Sequence, residues 1–432
     1  MMEMCKKYKP IGKLWVGLDL MITVTQPKDI ELLTETFLDK SQQYKVIKEG
    51  LGDGLITASV EKWKLHREAI IHNFDENILS SYTKVFVKHA KILANTLKKD
   101  YVKTRFDVYW KFFGCTFDII CESCIDLNFD SVQQNQYMLW IARSTEITGH
   151  RLFHPLHQID ILWDLGSVSN ELTLISWGIV KFVRQIVARI KFQNLGKNQD
   201  EIPQNFINNL MTLTYDKKIW TEEELVDETQ TILAAGTNST ALTNSFFMLM
   251  MAIHQDVQEK IYQELFTIFG EDNRDVTLED LAQMTYLERS IKETMRLFPA
   301  VPIIGRSIDK DFILDGYVLP KGSSLLIPIA VVHRDPSIWK IPLKFDPDRF
   351  LPEEFQKIPR GAYMPFGLPP RNCIGSKFAM VSMKVVLSTI LRNFRVVSCQ
   401  YRSIEEIKFR INILIKATNG YGITLESRLK QQ

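Results

Sequence analysis

Between residues 229 and 253 the chain carries no charged side chain. A helix of that length has two fates: it crosses a bilayer, or it runs through the middle of a large folded core. Its polar content decides between them. Thr229, Gln230, Thr231, Thr237, Asn238, Ser239, Thr240, Thr243, Asn244 and Ser245 all fall inside it. So many hydroxyls and amides suit a buried helix with protein on every side better than lipid. Thr221 and Glu224 form a capping box at its start, and the run predicts one helix to about His254. At its centre stands Ala235-Gly236-Thr237-Asn238-Ser239-Thr240. Hydroxyls there can bond back to a carbonyl one turn earlier. A local kink would open a small polar pocket in an apolar wall; a poor helical segment held by its neighbours is the alternative.

Such a helix needs a large core around it. The 432 residues are 45% hydrophobic and 24% charged, with 53 basic against 51 acidic side chains. That balance offers no field for nucleic acid or for acidic substrates. No linker, repeat or low-complexity stretch divides the chain, so a single domain over 1–432 is expected. The six cysteines (5, 115, 121, 124, 373 and 399) show no secreted disulfide spacing, which fits a reducing compartment. Cys121-x-x-Cys124 lies in the apolar run 108–125 without a second ligand pair, so it reads as core rather than as a zinc or redox site. Residues 1–10 are charged and short, with no apolar segment behind them, and read as neither signal peptide nor anchor.

Local patterns fill in the rest. Residues 13–16 and 20–25 predict two short strands, 27–37 a helix, and 50–54 a glycine-rich loop. Trp63 and Arg67, at i,i+4, put an indole N–H and a guanidinium on one helix face, where they suit a bound carboxylate. Val85 to Leu97 and Ile175 to Ile190 mark amphipathic helices. Val257, Ile261 and Leu265 continue one face up to Gly270. Thr285 and Glu288 read as a second capping box, opening a helix that carries Glu293 and Arg296 and stops at Pro299. Arg349, in Phe345-Asp346-Pro347-Asp348-Arg349-Phe350, is placed to join that pair in a buried network. Asp315-Gly316 and Asn419-Gly420 read as hairpin turns.

From 341 to 372 the chain has seven prolines and little periodicity. Irregular stretches of that length inside a compact protein are usually functional. This one ends in Pro365-Phe366-Gly367-Leu368-Pro369-Pro370-Arg371-Asn372-Cys373-Ile374-Gly375 and opens the charge-poor segment 378–391. A cysteine between a tight loop and the first turn of a helix faces free amides and the positive end of the dipole. That favours thiolate and metal ligation, and thiolate is the haem ligand that promotes O–O cleavage. Arg371 could meet a haem propionate, and Phe366 could cover the sulfur. An isolated cysteine is more often a small buried hydrophobe; here the surrounding residues argue for the ligand.

Taken in order, Trp63-x-x-x-Arg67, Ala235-Gly236 to Thr240, Glu293-x-x-Arg296, Asp346-Pro347-Asp348-Arg349-Phe350 and the Cys373 loop resemble a cytochrome P-450 monooxygenase over roughly 13–428. The text of 254–306 and of 371–375 is most similar to family 4, the branch with fatty-acid hydroxylases and many insect enzymes. The resemblance implies a mainly α fold with small β-sheets, and non-covalent haem b with Cys373 as axial thiolate. It implies Trp63, Arg67, Arg306 and Arg371 at the propionates, with Phe366 by the sulfur. Glu293, Arg296 and Arg349 form the structural network behind the haem. Asn238, Ser239 and Thr240 lie beside bound dioxygen, and Val301 and Ile303 line the substrate pocket. The implied reaction inserts one atom of O2 into an apolar substrate: a fatty acid, a hormone-like lipid or a xenobiotic. Electrons come from NADPH through a flavoprotein reductase, which Lys62, Lys64, Lys357, Arg360 and Lys377 could face. Association with the endoplasmic reticulum membrane is expected for the family, and a cytoplasmic location for the chain as given.

Three features depart from the family pattern. Pro369 stands where the cysteine loop usually has glycine, and Gly367 is close enough to compensate. Asn238 and Ser239 replace an acid and a threonine. The family's N-terminal membrane helix and the first helix of its fold are expected to be absent from the chain as given, through an incomplete gene model or a lost anchor. Some family 4 members bond haem through a glutamate of the long helix; the matching Ala235 has no carboxylate. A haem-binding, catalytically impaired relic of such an enzyme is the rival reading.

Overall fold

Helices carry most of the chain, and the long one lies among the others. The computed structural model describes residues 2–428. Helix Glu222–Ile253 opens on its capping box: Glu224 N–H donates to Thr221 Oγ1 at 3.2 Å, and Thr221 N–H donates to Glu224 Oε2 at 2.8 Å. Three glutamates in the first turn meet the positive end of the dipole. Phe246 to Met251 are fully buried. The hydroxyls of Thr229, Thr237, Ser239, Thr243 and Ser245 each donate to the carbonyl four residues back. These bonds satisfy the polar groups from within, and the helix is continuous across 235–240. Among the described residues, no helix is long and apolar enough to cross a membrane.

Helix Tyr109–Ile120 runs against the long helix at Gly236, where a Cβ would overlap Ile120 Cδ1. Helices Ser167–Asn194, Thr285–Leu297 and Ser376–Asn393 also touch the long helix. Helix Glu76–Asp100 packs on Ser376–Asn393, where Phe378 is met edge-on by Phe74, Tyr82 and Phe86. A second, smaller core of Ile22, Val24, Leu33, Phe37 and Leu325 lies under the largest sheet. That sheet has the order Ile11–Val16, Asp19–Val24, Ser324–Ile327, Ile304–Ser307; only its middle pair is parallel. Phe394–Cys399 and Arg105–Asp107 flank Gly422–Ser427 in a three-stranded sheet, and two small hairpins complete the β content.

Three local expectations change. Gly50 and Leu51 belong to helix Tyr44–Leu51, and the loop starts at Gly52 with φ of 79°. Helix Thr285–Leu297 has Met284 at its N-cap and no capping box. Its free amides at Tyr286 and Leu287 donate instead to the Glu264 carboxylate of a neighbouring helix, at 2.6 and 2.9 Å. Glu288 turns away to Lys292 and Lys384. Asp315-Gly316, both at positive φ, does close a hairpin. Asn419-Gly420 does not, because the strands on either side pair into different sheets.

Candidate active site

Cys373 stands three residues before helix Ser376–Asn393, whose N-cap is Gly375. The loop is closed by Cys373 N–H donating to the Phe366 carbonyl at 2.8 Å and Gly367 N–H donating to the Met364 carbonyl at 3.0 Å. Gly367 takes φ of 72°, a conformation closed to proline, so residue 367 rather than 369 supplies the turn. The Cys373 side chain is accessible although protein surrounds it closely. Burial pushes its thiol up; the Gly375 amide and the Arg67 guanidinium oppose this without cancelling it. A metal cation at the sulfur would hold it deprotonated.

Helix Val60–Ile71 presents Trp63 and Arg67 to this loop. Arg67 grips Asn372, donating from Nη1 to its carbonyl at 2.9 Å and from Nη2 to its Oδ1 at 2.7 Å. Arg371 lies over the Trp63 ring at 4.4 Å and donates from Nη2 to the Ala58 carbonyl at 3.0 Å. Its Nε and Nη1 are buried without a partner, as is Nε of Arg306. Arg306 spends Nη1 on the Gly305 carbonyl. Lys40, which the sequence reading missed, joins them from the loop ahead of helix Tyr44–Leu51. Burial first, then Arg306 and Arg371, push its ammonium well below the usual range. Lys40 sits in no periodic pattern, and nothing short of the fold brings it to the arginines.

Among the described residues, no ion pair joins Lys40, Arg306 or Arg371 to a carboxylate; Asp39 acts on Arg371 only through space. Gathering like charges in a low-dielectric wall is costly unless an anion completes the group. No cluster of three His, Cys, Asp or Glu among the described residues could hold a bare metal ion. A single thiol therefore suits a metal that arrives with its own ligands. Unpartnered guanidinium nitrogens, an ammonium and one thiol fit a metalloporphyrin carrying two carboxylates.

Behind the loop, Glu293 and Arg296 are both fully buried and bidentate, with Nε–Oε2 at 2.7 Å and Nη2–Oε1 at 2.8 Å. Glu293 Oε1 also accepts the Asp346 N–H at 2.9 Å, and Arg349 Nε stands 3.4 Å from it. Arg349 Nη2 donates to the carbonyls of Lys340 and Ile341. Arg296 Nη1 donates to the His333 carbonyl at 2.7 Å, and His333 Nε2 accepts the Met364 N–H at 2.9 Å. Burial and Arg296 push His333 down to about 3, so it stays neutral and able to accept. His333 was not singled out in the sequence.

On the long helix, Ala234 to Gly236 and Ser239 are partly accessible within an otherwise buried run. Ser239 Oγ donates to the Ala235 carbonyl at 2.8 Å. Asn238 is buried, and its Oδ1 accepts the Tyr109 O–H at 2.9 Å. Thr240 is buried; Val301 and Ile303 are half-buried ahead of the strand that carries Arg306. Cys121 and Cys124 are buried core thiols, both pushed up by burial. Of the basic residues, Lys62 pairs with Asp53, Lys357 with Glu354 and Arg360 with Glu31.

A mainly helical chain with a cysteine loop at the start of a buried helix, rimmed by arginines, has the make-up of a haem-thiolate protein. The family model for cytochrome P-450 matches residues 1–424, and the chain belongs to that family. It is 32% identical to cytochrome P-450 4g1 of Drosophila melanogaster, with 98% of this chain and 83% of that one covered. It is 31% identical to cytochrome P-450 4V2 of Homo sapiens over the same shares, and 29% identical to cytochrome P-450 4c21 of Blattella germanica over 99% and 87%. The family binds haem b through a cysteine thiolate, and membership makes this chain a haem monooxygenase, an oxidoreductase using O2, a redox partner and a small-molecule substrate.

The buried carboxylate of Glu293 carries the network, and removing one partner of a buried pair typically costs about 3–5 kcal/mol. Glu293→Ala is expected to yield little folded holoprotein on expression. Normal haem content in that variant would show that the network does not hold the fold.

Proposed function

We propose that this chain hydroxylates an apolar substrate, such as a fatty acid, a hormone-like lipid or a xenobiotic, with electrons from NADPH passed through a flavoprotein reductase. The observation that carries the reading is the Cys373 loop gripped by Arg67, with Arg371, Arg306 and Lys40 gathered beside it and joined to no carboxylate among the described residues. Bound there, a haem-thiolate would supply the electron push that breaks the O–O bond. Cys373 is the ligand in this reading, and Phe366 keeps water from it. Trp63, Arg67, Arg306, Arg371 and Lys40 orient the two carboxylates. Glu293, Arg296 and Arg349 hold the loop from behind in one domain with the rest of the chain. Val301 and Ile303 shape the substrate pocket, and Ala235 leaves the haem non-covalent. Lys62, Lys64, Lys357, Arg360 and Lys377 face the reductase, although the pairing of Lys62, Lys357 and Arg360 with acids weakens that field.

The relic reading draws on Asn238. It cannot titrate, and its amide oxygen is already taken by Tyr109. A carboxylate in its place would accept the same phenol and add an ionisable group. With reductase, NADPH and a panel of fatty acids, Asn238→Asp is expected to raise product formed per NADPH consumed. Ser239→Ala is expected to lower it, with the balance appearing as hydrogen peroxide. No NADPH consumption in any of the three proteins, with the haem properly bound, would favour the relic.

We also propose that the chain lies on the endoplasmic reticulum membrane through an apolar face. Trp15 and Leu18, at the turn of the first hairpin, are exposed, as are Leu156, Ile161 and Leu165 between helices Ser131–Phe153 and Ser167–Asn194. Gly17 lies beside Gln158, so the two segments adjoin. Grouped exposed apolar side chains of this kind mark contact surfaces. The protein is expected to float with vesicles of reticulum lipids, and Leu18→Asp with Ile161→Asp to abolish flotation. Equal flotation of the double variant would assign binding to another surface.

A further inference from the structure

Helix Val60–Ile71 buries a histidine between Trp63 and Arg67. His66 is 2% exposed and lies flat on Trp220, with ring centroids 4.0 Å apart. Both of its nitrogens face carboxylates of the long helix: Nδ1 is 2.7 Å from Glu228 Oε1, and Nε2 is 3.3 Å from Glu224 Oε1. Glu224 is the outer of the two, with 25% of its side chain exposed, whereas Glu228 is wholly buried. Glu228 Oε2 accepts the Leu55 N–H at 3.1 Å.

One turn further in, Thr231 Oγ1 is buried with no hydrogen-bond partner among the described residues. Gly54 brings the two oxygens together. A Cβ on it would overlap Thr231 Oγ1 and stand 3.0 Å from Glu228 Oε2, so both oxygens close on the same face of Gly54. Glu228, Thr231, Ala235 and Ser239 follow at helical spacing on one face. At Ala235 and Ser239 the face becomes accessible again.

A helix-to-helix tie would need one carboxylate. Here an imidazole stands between two, one open to solvent and one sealed, with a spare hydroxyl at the sealed end. We propose that Glu224, His66 and Glu228, with Thr231, conduct protons from solvent to the oxygen-binding side of the cavity and supply what Asn238 cannot. On the monooxygenase reading above, on which this rests, R–H, O2, two electrons and two protons give R–OH and water. The electrons come from NADPH through the reductase, and the protons come along this line. His66 takes a proton at Nε2 from Glu224 and gives one from Nδ1 to Glu228 Oε1. Glu228 releases its proton toward the unpartnered Thr231 hydroxyl, and Glu224 reloads from solvent. The other charged groups at the line are Lys62, paired with Asp53 and near Asp227. Burial pushes Glu228 up, while at Glu224 burial is outweighed by the Thr221 hydrogen bonds and the carboxyl is held down, so the proton passes from the weaker holder to the stronger.

The test uses the holoprotein and Glu228→Gln, which keeps the shape and loses the acid. On acidification the infrared spectrum of the wild type is expected to gain a carboxylic acid carbonyl band absent from the variant. In D2O that band should shift at once. A Glu228 band that holds its proton in D2O, or no such band, overturns the relay whether or not the enzyme turns over. In turnover, Glu228→Gln is expected to keep the thiolate spectrum and lose roughly tenfold or more of its product per NADPH, with more peroxide and a larger solvent isotope effect. Unchanged coupling and isotope effect contradict the proposal. If Glu228→Gln yields no holoprotein, Glu224→Gln, which preserves the capping box, is read by the same criteria. A wild type that makes no product from any substrate refutes the monooxygenase reading, and the infrared result then decides the relay alone.

Discussion

Like charge gathered out of water is the constraint this structure answers to. Lys40, Arg306 and Arg371 gather out of water; burial holds all three below their ordinary range, and repulsion by neighbouring cations adds to this at Lys40 and Arg371. Cys373 is strained in the opposite sense, with burial favouring its thiol. A ligand with two carboxylates and a metal would relieve both at once, because the anions would meet the cations and the metal would take the sulfur. On the proposed reading, haem binding would release that electrostatic cost, and affinity for the cofactor would be linked to stability of the site.

A cavity under such strain needs a rigid frame, and a line of hydrogen bonds provides one. The Glu293–Arg296 pair passes to the His333 carbonyl, His333 Nε2 to the Met364 amide, and the Met364 carbonyl to Gly367. Phe366 next to it accepts the Cys373 amide. Every link is buried or half-buried, and a charged His333 would break the line by losing its acceptor. The low proton affinity of that ring is therefore part of the support.

What could be read from the sequence followed how local each signal was. The capping box, the uncharged run, the Asp315-Gly316 turn and the motifs all lie within a few residues of one another, so they survive in a linear text. Glu264 capping a helix that starts more than twenty residues later, His66 meeting Glu228 across the fold, and Lys40 joining Arg306 depend on packing, which no periodicity encodes. The Asn419-Gly420 turn shows the converse error: the turn residues were right, but pairing of the flanking strands is decided by distant partners. Pro369 is a milder case, since Gly367 carries the left-handed residue instead. Asn238 was read as a loss of charge; its engagement by Tyr109 becomes visible only with the neighbouring helix in place.

The central claim is that one thiolate and the cations around it define the cofactor site. The carbon monoxide difference spectrum of the dithionite-reduced protein tests it most directly, because the red-shifted Soret band reports haem loading and thiolate ligation together. The wild type is expected to show that band, and Cys373→Ser to lose it while the chain stays folded. A red-shifted band that survives in Cys373→Ser, or a wild type that takes up haem without it, would contradict the account.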